Sequence, residues 1–119
     1  MEHTIDDIEK LQQEFSSCQK LLIAIGDEVR QYLLCIMLKG ECSGSRVIDI
    51  AAKTNLSRPA ISHHMQILKD AGVVKSRKEG TCIYYYLDPA DNEISKGMSL
   101  FAHIKEIMKT VPDRSGEGR

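Results

Sequence analysis

Residues 57–87 read SRPAISHHMQILKDAGVVKSRKEGTCIYYYL. Two periodicities meet in this stretch. From Ser57 to Gly72 the apolar residues Ile61, Met65 and Leu68 recur at helical spacing. With Ile61 at zero and ~100° per residue, Met65 and Leu68 fall within about 40° of it. Ala60, His64 and Ile67 lie on one flank of that line. Arg58, Ser62, His63, Gln66 and Lys69 occupy the remaining arc, with Pro59 and Asp70. The helix therefore has one face that packs and one that is polar. Ser57 suits its N-cap, Pro59 is tolerated in its first turn, and Gly72 stands where a glycine ends a helix. Then the period changes. VVKSRK and TCIYYYL are short β-rich runs separated by Glu79-Gly80, a hairpin signature, and Pro89 closes the second run. Adjacent His63 and His64 point ~100° apart on a helix, so the doublet is predicted to be two separate residues and not a metal clamp.

Immediately upstream, RVIDIAAKTN predicts another helix with Val47, Ile50 and Ala51 on one face, and NLS makes a tight connection. Helix, turn, helix and charged hairpin together form a helix-turn-helix over about 46–72 with a wing over 73–88. The polar arc has the chemistry to enter a DNA groove. Arg pairs with guanine or phosphate, Gln with adenine and Ser with either. The helix dipole and the Ser57 hydroxyl favour a phosphate at the helix start. The hairpin tip, Arg77-Lys78-Glu79-Gly80-Thr81, places cations on an arm that reaches the backbone or the minor groove, with salt-sensitive binding as the consequence.

Farther out, Ile8, Leu11, Phe15, Cys18, Leu22 and Ile25 alternate steps of three and four, a heptad-like seam on a helix over about 5–25. Gly26 ends that helix and Asp27 caps the next, at about 28–39. This second helix is apolar nearly all round, at Leu33, Leu34, Cys35, Ile36, Met37 and Leu38, and is expected to be buried and central, with Gly40 stopping it. A last helix, about 91–110, carries Ile94, Gly97, Phe101, Ile104, Met108 and Val111 in the same alternation. The two seams suit either closure of the domain on itself or a subunit interface. The expected architecture is mainly α with a small β-hairpin wing (α+β), one domain over 1–111, dimerising through its terminal helices, and a disordered tail at 112–119.

Composition sets the outer limits. A chain of 119 residues, 42% hydrophobic and 28% charged, is an ordinary single globular domain. No apolar run reaches a membrane span and no signal peptide is evident, which points to the cytoplasm. The net charge of −1 conceals an acidic N-terminus and a basic segment from Arg58 to Lys78, so a polyanionic partner is allowed. Cys18, Cys35, Cys42 and Cys82 form no C-x-x-C pair. No glycine-rich phosphate loop or nucleophile motif is present, so an enzyme is not expected. A winged helix used for RNA or protein assembly, without operator reading, is the alternative.

Two segments, IGDEVRQYLLCIML (25–38) and VIDIAAKTNLSRPAISHHMQILKDAGVVKSRKEGTCIYYYLDP (47–89), resemble the ArsR/SmtB family of winged-helix repressors. The resemblance runs from about Leu22 to Pro89. It implies a homodimer on a partly palindromic operator, with the 58–70 helix in the major groove and an effector that lowers DNA affinity. By position it implies DNA contacts for Ser57, Arg58, Ser62 and His63, and wing contacts for Arg77 and Lys78. Gln66 is added from the helical wheel alone. His64 matches a family histidine and faces the packed side, where a hydrogen bond between helices suits it.

The same resemblance frames the effector. The family's Cys-Val-Cys-Asp-Leu site falls on Arg46-Val47-Ile48-Asp49-Ile50, which has neither thiol. A second family site, Asp-x-His then His-x-x-His/Glu between subunits, is matched in part. His103 and Glu106 fit its second half, whereas Asp91 and Glu93 lack a histidine and stand one residue out of step. A zinc or nickel ion is the expected occupant of such a site, since zinc accepts carboxylate oxygens. Cys35 sits where thiol-sensing members carry one of two cysteines. No cysteine comes after Cys82, so Cys18 is the alternative partner.

Overall fold

The computed structural model describes residues 5–40 and 44–116. Cys42 lies outside them, as do residues 117–119 of the tail. Among the described residues six helices run in order: α1 (Ile5–Ser17), α2 (Gln19–Ile25), α3 (Glu28–Lys39), α4 (Val47–Ala52), α5 (Arg58–Asp70) and α6 (Ile94–Met108). Between α5 and α6 stands an antiparallel hairpin of β1 (Lys75–Glu79) and β2 (Cys82–Tyr86). Ser45 adds a short third edge, exchanging both backbone bonds with Tyr85 at 2.8 Å. The expected class, helical with a small β wing, is the class observed.

Three local expectations change. The single N-terminal helix is broken at Cys18, whose backbone leaves the helical region (φ −102°, ψ 6°). Around the break the Cys18 N–H is shared between the Glu14 and Phe15 carbonyls, which also accept from Ser17 Oγ and the Gln19 side-chain amide respectively. The break re-aims the next helix, so that α2 buries Leu21 and Ala24, both outside the expected seam. Second, α3 is not buried all round. Leu33 and Met37 face the core with Arg30, whereas Tyr32, Cys35 and Leu38 are exposed. Third, the hairpin turn is Gly80-Thr81, one residue later than Glu79-Gly80, because Glu79 pairs with Cys82. Gly80 has φ 61°, the positive value that a type II′ turn needs at its first central residue. Val73 and Val74 accordingly precede the strand and sit in the core.

That core is centred on α5. Ile61, Met65 and Leu68 pack with Ile50 of α4, Leu33 of α3, Ala24 of α2, Val73, Val74 and Leu100 of α6. The turn after α5 then locks α6 in place. Gly72 has φ 76°, and its N–H and that of Val73 bond back to the Lys69 and Leu68 carbonyls, a Schellman closure. Glu93 N–H donates to the Gly72 carbonyl and the Asn92 side chain to the Val73 carbonyl. A Cβ on Gly72 would stand 2.3 Å from Glu93 Cγ. Gly72→Ala is therefore expected to lower the unfolding free energy by about 3 kcal/mol, through left-handed strain plus overlap. Urea unfolding at fixed protein concentration checks this; a change under about 1 kcal/mol would count against both causes.

Candidate nucleic-acid interface

α5 begins at a side-chain cap. Ser57 Oγ accepts from the Ala60 N–H at 3.2 Å, and Pro59 stands in the first turn. Such a cap contributes about 1 kcal/mol and fixes where the helix starts. The rotational setting matches the wheel throughout. Ile61, Met65 and Leu68 are buried, and Ala60, His64 and Ile67 are half-buried. Ser57, Arg58, Ser62, His63, Gln66 and Lys69 are all exposed along one arc. Gln66 is not idle there: its amide donates to Asp70 Oδ1 at 2.9 Å. Reading a base with Gln66 costs that bond.

The two histidines part as expected. His63 is exposed. The Arg30 guanidinium donates to His64 Nδ1 at 3.2 Å, linking α5 to α3. The rings stand 5.9 Å apart and are tilted by 56°.

The wing departs from its expected form. Arg77 is not at the tip of a free arm. It lies in β1 opposite Tyr84, with its guanidinium 4.9 Å from the Tyr84 ring centre and 5.7 Å from that of Tyr86. Its Nε also pairs with Glu79 at 3.1 Å. The run of tyrosines in β2 thus holds Arg77 by cation–π contact. Lys78, opposite Ile83, is the exposed cation nearer the turn.

The residues considered for metal are not brought together within one chain. Asp91 and Asp88 share Lys75, each at 2.9 Å, which ties the base of the wing to the start of α6. These carboxylates hold the Lys75 ammonium well above the usual lysine pKa, with Asp91 the first cause and Asp88 the second. Glu93 pairs with Lys96 at 3.1 Å and Glu106 with Lys109 at 3.3 Å. His103 contacts Glu14 of α1. Among the described residues no group of three His, Cys, Asp or Glu side chains gathers in metal-binding fashion. Cys35 is exposed and Cys18 is buried in the core, so the two thiols differ in access.

Sequence reasoning missed three polar anchors: Arg30, Lys75, and Arg46, which caps α4 through Asp49 and reaches Cys82 Sγ at 3.9 Å. Arg30 stands at the polar start of α3, before the apolar run, and its sequence neighbours give no sign that it is buried.

Known proteins share this arrangement. Residues 27–76, from the cap of α3 to the start of the wing, match the family described as "Bacterial regulatory protein, arsR family". An uncharacterised HTH-type transcriptional regulator of Methanocaldococcus jannaschii is 38% identical over 85% of this chain and 98% of its own. A homolog of the cadmium resistance regulatory protein CadC in Staphylococcus aureus is 33% identical, over 74% of this chain and 70% of its own. Among solved structures, an ArsR-like transcriptional regulator from Rhodococcus sp. RHA1 superposes with a TM-score of 0.63 at 24% identity, covering 82% of this chain and 95% of that one. HlyU from Vibrio vulnificus superposes with a TM-score of 0.57 at 30% identity, covering 82% and 96%. With its helix-turn-helix polar arc outward and its wing alongside, the chain belongs to the ArsR family and is a DNA-binding transcriptional regulator.

Proposed function

We propose that the protein is a homodimeric, sequence-specific, cytoplasmic repressor that reads a partly palindromic operator. The single observation that carries the reading is the α5 arc: every apolar residue of that helix except Pro59 is buried or half-buried, and the exposed arc offers Arg58, Ser62, His63 and Gln66. Ser57 joins them at the helix start, where a phosphate is favoured. Lys78 and the tyrosine-held Arg77 flank them from the wing. The working unit is one domain over 1–111, with the helix-turn-helix at 46–72, the wing at 73–88 and the terminal helices supplying the dimer surface.

Two features support the dimer. α1 buries none of its residues, though it carries Ile5, Ile8 and Phe15. The Cα radius of gyration is 18.6 Å, against about 13–14 Å for a compact chain of this length. α1, with no buried residue, and the outer side of α6 carry apolar residues that a second copy would cover.

The effector readings attach to that dimer. A zinc or nickel site from Asp91, Glu93, His103 and Glu106 depends on the second chain, because in one chain each of these donors already has another partner. Cys35 is the thiol open to a thiol-reactive effector. DNA affinity measured with and without zinc, nickel, peroxide and persulfide separates these effectors.

The repressor reading is tested by selecting duplexes from a random-sequence pool with the purified protein. A selected site with two half-sites about one helical turn apart is expected. Its affinity is expected to fall about 10³-fold between roughly 50 and 200 mM salt. Selection of no sequence, or binding indifferent to salt, would support the RNA or protein-assembly alternative.

A further inference from the structure

Among the described residues Arg30 is the buried cation, 8% exposed. Each arm of its guanidinium is used. Nε donates to the Ala24 carbonyl at 2.8 Å and Nη2 to the Ile23 carbonyl at 3.3 Å. These carbonyls belong to the last turn of α2, where no helical N–H remains to claim them. Nη1 reaches His64 Nδ1 at 3.2 Å. Asp27 closes the group, accepting from the Arg30 N–H at 3.0 Å and standing 4.0 Å from Nη1. One side chain thus joins the end of α2, the start of α3 and the middle of α5.

The protonation state of His64 is set by its partner. A guanidinium only donates, so Nδ1 must offer a lone pair and the imidazole proton sits on Nε2. Protonated His64 has no acceptor at Nδ1 and faces a like charge. The groups acting on it are Arg30 and Asp27 at the α2–α3 junction and His63 on its own helix. α2 contributes the carbonyls that hold Arg30 in place.

On the reading of α5 as the operator-reading helix, we propose that Arg30 is a positioning residue for that reading. Its guanidinium holds neutral His64, which fixes the roll of α5 that presents Ser62 and His63 outward, and protonation of His64 releases the hold.

Burial first, then the Arg30 charge, places the His64 pKa below the ordinary histidine value; Asp27 pulls the other way and His63 adds to the lowering. A depressed folded pKa means the hold is complete above the unfolded value of about 6.5 and is lost as pH falls through the folded one. His63 is exposed on the same helix, and comparing the wild type with His64→Asn, to which His63 is common, cancels its own contribution.

The experiment uses a duplex selected by the wild-type protein from a random-sequence pool, and a scrambled duplex of the same composition. The ratio of the two affinities is measured from about pH 8 to about pH 5. In the wild type the ratio is expected to fall about tenfold more on acidification than in His64→Asn. His64→Asn supplies an acceptor oxygen near the place of Nδ1 that does not protonate in this range, so the loss that His64 causes disappears. Arg30→Met is expected to lose about tenfold in the ratio at neutral pH while still binding scrambled DNA. If Arg30→Met fails to fold, the His64→Asn comparison alone decides. Parallel profiles in the wild type and His64→Asn overturn the proposal. Failure of the wild type to select any duplex overturns the operator reading, and this proposal with it.

Discussion

Ser62→Ala combined with His63→Ala abolishes discrimination between the selected operator and a scrambled duplex, and leaves the fold intact. Both side chains are exposed on the outer arc of α5, so their loss costs the folded state within about 0.5 kcal/mol. At an operator each would contact base edges, and a good base contact discriminates by about 1–3 kcal/mol. A two-fold dimer repeats both contacts. Four losses at the low end of that range total about 4 kcal/mol, or roughly 10³-fold in the specificity ratio. Residual binding should equal the protein's affinity for scrambled DNA, because Arg58 and Lys78 remain to meet phosphates. Fluorescence anisotropy on both duplexes, beside thermal unfolding, checks the expectation. Unchanged discrimination in a folded double variant would remove α5 from the groove. Arg58→Ala is the contrasting case: a phosphate contact lowers affinity for both duplexes alike and reduces the salt slope.

The orientation of α5 was legible in the sequence because three large apolar residues share one line and the opposite arc is polar. Ile61, Met65 and Leu68 decide which side of α5 turns to the core, and that side is buried. α6 shows the opposite situation. Ile94, Gly97, Phe101, Ile104, Met108 and Val111 read as one seam, yet the helix has two apolar stripes. Gly97, Leu100, Ile104 and Ile107 face inward, while Ile94, Met98, Phe101 and Met108 face out. Hydrophobic periodicity gives the existence of a stripe but not its partner, so Leu100, which is fully buried, was passed over. The break at Cys18 escaped because it is a local change of backbone geometry at one residue, which does not disturb the heptad spacing. Arg77 escaped in the same way: its place over Tyr84 depends on the strand register, which shifts with the turn by a single residue. Arg30 lay in a matched family segment, but its burial depends on α2 ending at Gly26 and on α5 lying across it. No pattern along α3 alone carries that.

The outward stripe of α6 yields the second large effect. Phe101→Glu with Met108→Glu converts the protein to a monomer and lowers operator affinity about 10³-fold. In the single chain Phe101 is 57% and Met108 64% exposed, so glutamates there disturb no core contact. With Met98 and Ile94 they make a continuous stripe along α6, a helix that packs beside α1. On the proposed dimer reading, this stripe is the surface that a second copy covers. Across a two-fold axis each substitution meets its own copy or a neighbouring apolar side chain, so every introduced charge is buried against apolar surface or a like charge. The effect on DNA is geometric. A monomer engages one half-site, and the second half-site no longer gains from the high effective concentration that tethering provides. Light scattering after gel filtration reads the mass, and anisotropy on the selected operator reads the affinity. Retained near-native far-UV circular dichroism in a monomeric, weakly binding variant is the expected combination. A variant that stays dimeric with undiminished affinity would move the interface off α6, and α1 would then be the next surface to charge, at Ile8 and Phe15.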